Sequence, residues 1–169
     1  MDIALPPPAT ALQVPGVIPD MAFPAIPEDE RVWVPERDRV WYRPLMFDTV
    51  GGGWTILLRV RRAGVYSRHR HPGPVHGYTI KGRWRYLEHE WVAQAGTYIF
   101  EPPGAVHTLV VDNDDEMIGF FFNVCGITVF VDEQGNTTGH EDTFTRIRMA
   151  REHYARVGLG AEFVDQFIR

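Results

Sequence analysis

From about residue 32 to residue 132, the hydrophobic positions fall in short runs that are rich in β-branched and aromatic side chains. Clusters of Gly, Pro, Asp and Asn separate these runs, for example GGG at 51–53, HPGP at 71–74 and PPG at 102–104. Short apolar runs bounded by turn residues are typical of an all-β sandwich or barrel. The pattern therefore predicts many short strands in this part of the chain.

The N-terminal segment has a different composition. Residues 1–30 contain seven of the thirteen prolines, and prolines at this density disfavour a long helix or a central strand. We expect an extended arm over 1–30, either mobile or laid against a neighbouring subunit.

The C-terminal segment changes to helical spacing. Apolar side chains such as Phe144, Ile147 and Tyr154 recur at three- to four-residue intervals, which predicts helices over about 142–168. Asp142 or Thr143 would cap the start of the first helix, and glycines would end it. We therefore expect one β domain over 31–169 that carries helices at its C-terminal end.

Length and charge narrow the class of protein. A chain of 169 residues suits a single domain. The formal net charge is −5 and no basic cluster is present, which argues against a nucleic-acid partner. No run approaches the roughly 18 apolar residues of a membrane span, and the N-terminus lacks the basic start of a signal peptide. We expect a cytoplasmic protein with neither nucleic acid nor membrane as a partner.

The stretch HRHPGPVH, residues 69–76, holds three of the seven histidines. If it begins as a strand, His69 and His71 point to the same face. Two neighbouring imidazoles that project into a barrel can reach one metal ion, whereas a buried pair without a metal needs four ring nitrogens satisfied in another way. The pair predicts a metal site.

A second motif lies downstream in GTYIFEPPGAVH, where Gly96, Pro102, Gly104 and His107 follow the spacing Gly-x5-Pro-x-Gly-x2-His. This spacing resembles the second motif of the cupin superfamily. The segment from Gly64 to Gly82 resembles its first motif, with the gap before the His-x-His pair one residue short. The resemblance implies an all-β, single-domain cupin, an antiparallel β-barrel or jelly roll, in which His69, His71 and His107 bind the metal.

The metal-binding glutamate that cupins usually carry after the His-x-His pair is missing. Depending on register, His76 or Val75 takes its place. Strand alternation favours His76 inside the barrel, as a base near the metal or as a fourth ligand. Glu88 or Glu90 is an alternative source of the carboxylate, and Glu101 fits either a buried partner of a ligand histidine or a turn residue.

Three imidazoles with open positions suit iron, copper, nickel and zinc alike, and a catalytic zinc site has the same description. Beyond the arm, HRHPGPVHGYTIKGRWRYLEHEW, GTYIFEPPGAVHTL and VGLG…FVD resemble the 2,4′-dihydroxyacetophenone dioxygenase family. The resemblance implies mononuclear non-haem Fe(II), O₂ and a ketone substrate, whose C–C bond beside a hydroxymethyl carbon is cleaved. The alternatives are a non-catalytic metal-binding sensor or binding module, and a zinc-dependent hydrolase or isomerase.

Aromatic residues make up 12% of the chain, and an aromatic substrate needs an apolar pocket. We expect this pocket to be lined by Tyr78, Trp84, Tyr86, Phe100, Phe120 and Phe122. Because barrel edges and an apolar arm invite pairing, we also expect a homodimer or homotetramer.

Overall fold

The computed structural model describes residues 18, 20–24, 26–112 and 115–169. Most of the arm predicted over 1–30 lies outside the described residues. Within them, the chain forms twelve strands, two 3-10 helices and one α-helix. The strands are β1 (Val34–Arg37), β2 (Val40–Phe47), β3 (Trp54–Val60), β4 (Gly64–Arg70), β5 (Val75–Lys81), β6 (Arg83–Tyr86), β7 (Ala93–Gln94), β8 (Tyr98–Glu101), β9 (Val106–Val111), β10 (Met117–Asn123), β11 (Thr128–Val131) and β12 (Thr137–Glu141).

These strands form two antiparallel sheets of six strands each. The first sheet has the order β1-β2-β3-β10-β5-β8, and the second has the order β12-β11-β4-β9-β6-β7. Strands that are distant in sequence therefore lie side by side, such as β3 with β10 and β4 with β9. The prediction of an all-β, single-domain cupin fold is confirmed.

The core lies between the inward faces of the two sheets. Large side chains such as Tyr42, Ile56, Trp84 and Phe121 are buried there. Burial of this apolar surface is the main favourable contribution to folding.

The outer face of the first sheet is covered over β2 and β3, and Ile118 on β10 is buried in the same outer cluster as Leu57. Leu57, on the outer side of β3, is 2% exposed. Arg43 on β2 donates to the Pro24 carbonyl, and Phe23 packs 5.4 Å from the Phe167 ring at the C-terminal end. Because both of its faces are covered, β3 reads as a nearly continuous apolar run rather than an alternating one.

The C-terminal segment begins with helix α1 (Thr143–Arg156). The Asp142 side chain caps it by accepting the backbone N–H of Thr145 at 2.7 Å. A 3-10 helix follows over Ala161–Phe167. No helix within the described part of the chain has the length and apolar character needed to span a membrane.

Candidate metal centre

The register of the second sheet brings His69 and His107 together. His69 on β4 pairs directly with His107 on β9, and their Nε2 atoms are 3.2 Å apart. His71 follows immediately after β4, and one ligand atom from each of the three imidazoles lies within 4.8 Å of the others. Since metal–nitrogen bonds are about 2.0–2.1 Å, two nitrogen ligands of one ion lie roughly 3 Å apart, so these imidazoles fit a shared ion.

Backbone carbonyls and a stacked ring orient the imidazoles. His69 Nδ1 lies 3.1 Å from the Ser67 carbonyl, and His71 Nδ1 lies 2.9 Å from the Ile127 carbonyl. A proton on His69 Nδ1 that is donated to the Ser67 carbonyl leaves its Nε2 free as a metal ligand. His71 Nδ1 lies between the Ile127 carbonyl and the Asn123 Nδ2 atom, which is 2.8 Å away. The His107 ring stacks on the Tyr86 ring, with centroids 4.1 Å apart.

Burial keeps the three histidines neutral at pH 7. It lowers the pKa of His71 to about 4 and that of His107 to about 3. The pKa of His69 is also well below its ordinary value, because this ring is buried beside the other two. Neutral imidazole is the form that binds a metal ion.

Glu101 supplies a carboxylate to the same place. Its Oε2 atom lies 3.4 Å from His107 Nε2 and 3.6 Å from His71 Nε2. Because both imidazoles are neutral, these contacts are not ion pairs, and Oε2 has no hydrogen-bond partner among the described residues. A buried oxygen without a partner beside three imidazole nitrogens fits a fourth ligand of a bound cation.

The other oxygen of Glu101 is occupied. The Tyr86 hydroxyl donates to Oε1 at 2.5 Å. Burial raises the Glu101 pKa to about 7, although the bond from Tyr86 acts in the opposite direction. This carboxyl group can therefore hold or release a proton near neutral pH.

The position of Glu101 explains the missing cupin glutamate. In the β5–β8 pair, Glu101 lies directly opposite Val75, which is one of the two residues at the usual glutamate position. Alternation along β8 gives a signal that sequence reasoning did not use. Ile99 and Glu101 share the buried face, whereas Tyr98 and Phe100 are exposed.

His69, His71 and Glu101 open onto a cavity between the sheets. Its apolar walls come from Val40, Trp54, Ile56, Leu58, Val75, Leu109 and Phe121. The charged residues Glu36, Arg37 and Arg146 also line it. Arg146 on α1 is buried and pairs with Glu36 at 3.0 Å, so the wall contains fixed charges beside its apolar residues.

The structure does not place His76 at this centre. His76 lies on the outer face of β5, where its Nδ1 is 2.9 Å from the Tyr98 hydroxyl. Val75, Gly77 and Thr79 occupy the inner face instead. Thr79 is satisfied there because its hydroxyl accepts the Trp84 Nε1–H at 2.9 Å. A Cβ at Gly77 would lie 3.1 Å from the Phe121 ring, which leaves little room for a side chain.

Among the six aromatics expected in the pocket, Tyr86 lines the cavity. Trp84 is buried in the core. The remaining four share the outer face of the first sheet with His76: Tyr78, Phe100, Phe120 and Phe122. An alternating strand with apolar residues on both faces gives no sequence signal for which face is inside.

The two alternative carboxylates also lie away from the histidines. Glu88 accepts the backbone N–H of Thr108 at 2.7 Å and its hydroxyl at 2.8 Å. Glu90 is exposed in the loop after β6. Neither carboxylate therefore replaces the missing glutamate.

Comparison with known proteins identifies the family of this chain. A family model described as the ChrR cupin-like domain matches residues 24–124. The chain belongs to the ChrR cupin-like domain family. A search of curated proteins found no match for this ChrR-like cupin.

Solved structures share the fold of this ChrR-like cupin. An RmlC-like cupin protein from Ralstonia eutropha JMP134 is 29% identical, with 75% of this chain and 83% of that chain covered and a TM-score of 0.70. An acetylacetone dioxygenase from Acinetobacter johnsonii is 18% identical, with 79% of this chain and 95% of that chain covered and a TM-score of 0.66. At the latter identity, the likeness concerns the fold alone.

Proposed function

We propose that this protein is a mononuclear non-haem Fe(II) dioxygenase that cleaves a C–C bond in an aromatic hydroxyketone resembling 2,4′-dihydroxyacetophenone. The observation that carries the proposal is the convergence of His69, His71, His107 and Glu101 at the wall of an apolar cavity. The three neutral imidazoles leave positive charge on a divalent ion, which the Glu101 carboxylate and a bidentate anionic substrate can offset.

The proposed reaction consumes one hydroxyketone and one O₂. The bond between the carbonyl carbon and the hydroxymethyl carbon breaks, and each fragment gains one oxygen atom. An aryl acid and formic acid result, so that atoms and electrons balance without a further reductant. Ferrous iron, when bound by the three histidines, would supply Lewis acidity toward the ketone and hydroxyl oxygens and electrons for O₂.

Glu101 is the residue we assign to proton transfer. Its Oε2 atom has no hydrogen-bond partner among the described residues, so it can accept a proton when a substrate hydroxyl ionises and return it to the product. The bond from Tyr86 at 2.5 Å holds the carboxyl group in one orientation, so that Oε2 stays directed at His71 and His107.

The cavity walls suit an aryl group. Ile56, Leu58 and Phe121 supply apolar surface for the ring and exclude water. The Glu36–Arg146 pair supplies an acceptor and donors for a polar ring substituent such as a phenol. A hydroxyaryl ketone therefore matches both the apolar and the polar parts of the wall.

A dioxygenase among the similar folds supports the same class of reaction. The Acinetobacter johnsonii protein is described as an acetylacetone dioxygenase, and acetylacetone is also a ketone with two oxygens that can chelate a metal. We infer O₂-dependent ketone cleavage for the present chain, and the ligand set is compatible with iron.

The test is anaerobic purification followed by metal analysis and O₂ uptake with 2-hydroxyacetophenones and β-diketones. We expect near-stoichiometric iron and substrate-dependent O₂ consumption. His107→Ala should abolish both, whereas His140→Ala, which changes an exposed histidine on β12, should leave both unchanged.

Two other results would overturn the proposal. Bound zinc with no O₂ uptake on any ketone, also after reconstitution with ferrous iron, would favour a hydrolase or isomerase. Metal binding without turnover of any of these substrates would favour a sensor or binding module.

A further inference from the structure

Three buried polar atoms of the cavity wall lack a hydrogen-bond partner. Within the described part of the chain, Trp54 Nε1, Glu101 Oε2 and Arg146 Nε are buried without one, and all three residues line the cavity. A buried polar atom without a partner costs free energy in the folded protein. Glu101 Oε2 lies beside the metal-binding histidines, which leaves the indole N–H of Trp54 to be explained.

Trp54 adjoins both the metal centre and the charged part of the cavity wall. Its ring centroid lies 6.5 Å from that of His71, in an edge-on arrangement. The guanidinium carbon of Arg146 lies 4.8 Å from the Trp54 ring centroid. A ligand that occupies the cavity would therefore lie beside this indole.

Packing alone does not require an indole N–H at this position, because a phenylalanine ring would also supply apolar wall. In the core, Trp84 donates its Nε1–H to the Thr79 hydroxyl at 2.9 Å, as buried tryptophans usually do. The Trp54 N–H has no such acceptor among the described residues. An acceptor atom on a bound ligand would complete it.

The charges nearby favour a neutral acceptor. Arg146 pairs with Glu36 at 3.0 Å and with Glu141 at 3.2 Å, and Arg37 pairs with Glu36 at 2.8 Å. Two guanidinium groups and two carboxylates balance in formal charge, so no excess positive charge remains for a carboxylate on the ligand. A phenol oxygen accepts a hydrogen bond without adding a charge.

We propose that Trp54 is a specificity-determining residue, whose indole N–H donates a hydrogen bond to a neutral oxygen on the aryl ring of the substrate. The inference rests on the proposed function and narrows its substrate class to aryl hydroxyketones with an oxygen at the 4′ position. The ketone and hydroxyl oxygens would face the metal, so the ring oxygen is the one available to Trp54. Acetylacetone has no further oxygen, and a buried donor disfavours a ligand that leaves it unpaired.

The test is a set of dissociation constants for the full-length, zinc-loaded protein, measured by calorimetry, because zinc can hold these ligands without reacting with O₂. The probes are 2-hydroxyacetophenone and its 4′-hydroxy and 4′-carboxy derivatives. We expect the wild type to bind the 4′-hydroxy ketone about 2- to 10-fold more tightly than the unsubstituted one, the usual net effect of one hydrogen bond. Trp54→Phe keeps an aromatic ring and removes the N–H, so this ratio should fall to about 1.

The ratio separates the hydrogen bond from packing, since the smaller ring of Trp54→Phe affects both ketones. Trp91→Phe is the matched control, because Trp91 is 39% exposed in the loop after β6, and it should keep the wild-type ratio. A wild-type ratio of about 1 would overturn the inference, as would a folded Trp54→Phe variant with the wild-type ratio. Tighter binding of the 4′-carboxy than of the 4′-hydroxy ketone would overturn the choice of a neutral oxygen.

If Trp54→Phe does not fold, the NMR signal of the Trp54 indole proton in the zinc-loaded wild type tests the same bond. We expect this signal to lie further downfield with the 4′-hydroxy ketone than with the unsubstituted one, and equal positions would overturn the inference.

The two proposals can fail separately. Binding of both ketones without a preference contradicts the role of Trp54 alone. A Trp54-dependent preference without O₂ uptake, after reconstitution with ferrous iron, contradicts the dioxygenase and supports the role of Trp54. Binding of no ketone contradicts both.

Discussion

Val75 and Glu101 face each other across the β5–β8 pair. The carboxylate beside the three histidines is therefore supplied by Glu101 on β8, and not by a residue of β5. Glu101→Gln keeps the shape of the side chain and removes its negative charge. Because Oε2 lies within 3.6 Å of two histidine nitrogens, we expect metal affinity to fall by about 10- to 100-fold. Competition titration with a chromophoric chelator measures this change.

Glu90→Gln is the matched control for that measurement, since Glu90 is exposed in the loop after β6. It changes the net charge by the same amount and should leave metal affinity unaltered. Equal affinities for both variants would show that Glu101 makes no contribution at the centre.

The same residue predicts a pH dependence of the metal-free protein. Burial raises the Glu101 pKa from 4.5 to about 7, so between these values the unfolded chain binds fewer protons at this group than the folded protein. The free energy of unfolding therefore falls as pH rises. At about pH 8, the free energy of unfolding of metal-free Glu101→Gln should be higher than that of the metal-free wild type by up to about 3 kcal/mol.

Urea unfolding in the presence of a chelator measures this difference, which should shrink toward zero as the pH approaches 4.5. The buried histidines have lowered pKa values, so their contribution to the free energy of unfolding has the opposite pH dependence and is lost as pH falls. They are present in both proteins, so their contribution cancels. A difference that does not vary with pH would contradict the assigned shift.

Which residues reach the site was only partly predictable from the sequence. Two short motifs predicted the histidines that the structure brings together, because the residue spacing reflects a local strand and turn geometry. The sequence did not decide whether Glu101 is a turn residue or a buried partner of a histidine, because its approach to the histidines depends on the pairing of β8 with β5.

At the level of elements, β5 shows why alternation alone is insufficient. His76 and Tyr78 alternate with Gly77 and Thr79, and the sequence favoured the histidine face as the inner one. The structure buries the other face, because a glycine makes room for Phe121 and a hydrogen bond from Trp84 satisfies Thr79. Both reasons depend on residues from other strands, so the sequence of β5 alone cannot reveal which face is buried.

Helix α1 carries Arg146 into the cavity wall, and its start depends on Asp142. The Asp142 side chain accepts the Thr145 N–H at 2.7 Å, so Asp142→Ala should lower the free energy of unfolding by about 1 kcal/mol. Urea denaturation measures this loss. In Asp38→Ala, the mutated side chain is 86% exposed, and the change should stay within about 0.5 kcal/mol. Equal losses in both variants would argue against the cap.

At the scale of the whole molecule, the candidate centre joins the two sheets. His69 and His107 belong to strands of the second sheet, whereas Glu101 belongs to β8 of the first sheet. A cation bound by all of them would bridge the layers, and a ligand that binds the folded state alone stabilises it by mass action. Metal at 100 times its dissociation constant should add about 2.7 kcal/mol.

For a chain of this size, that gain corresponds to a rise in Tm of roughly 5–10 °C, measured by anaerobic calorimetry with and without a chelator. His107→Ala should show no metal-dependent rise. Glu101→Gln should show a smaller rise than the wild type at the same metal concentration, because the ion would then bind the second sheet alone. If Glu101→Gln gained as much as the wild type, the bridge between the sheets would be excluded and the carboxyl group would retain only its proposed proton-transfer role.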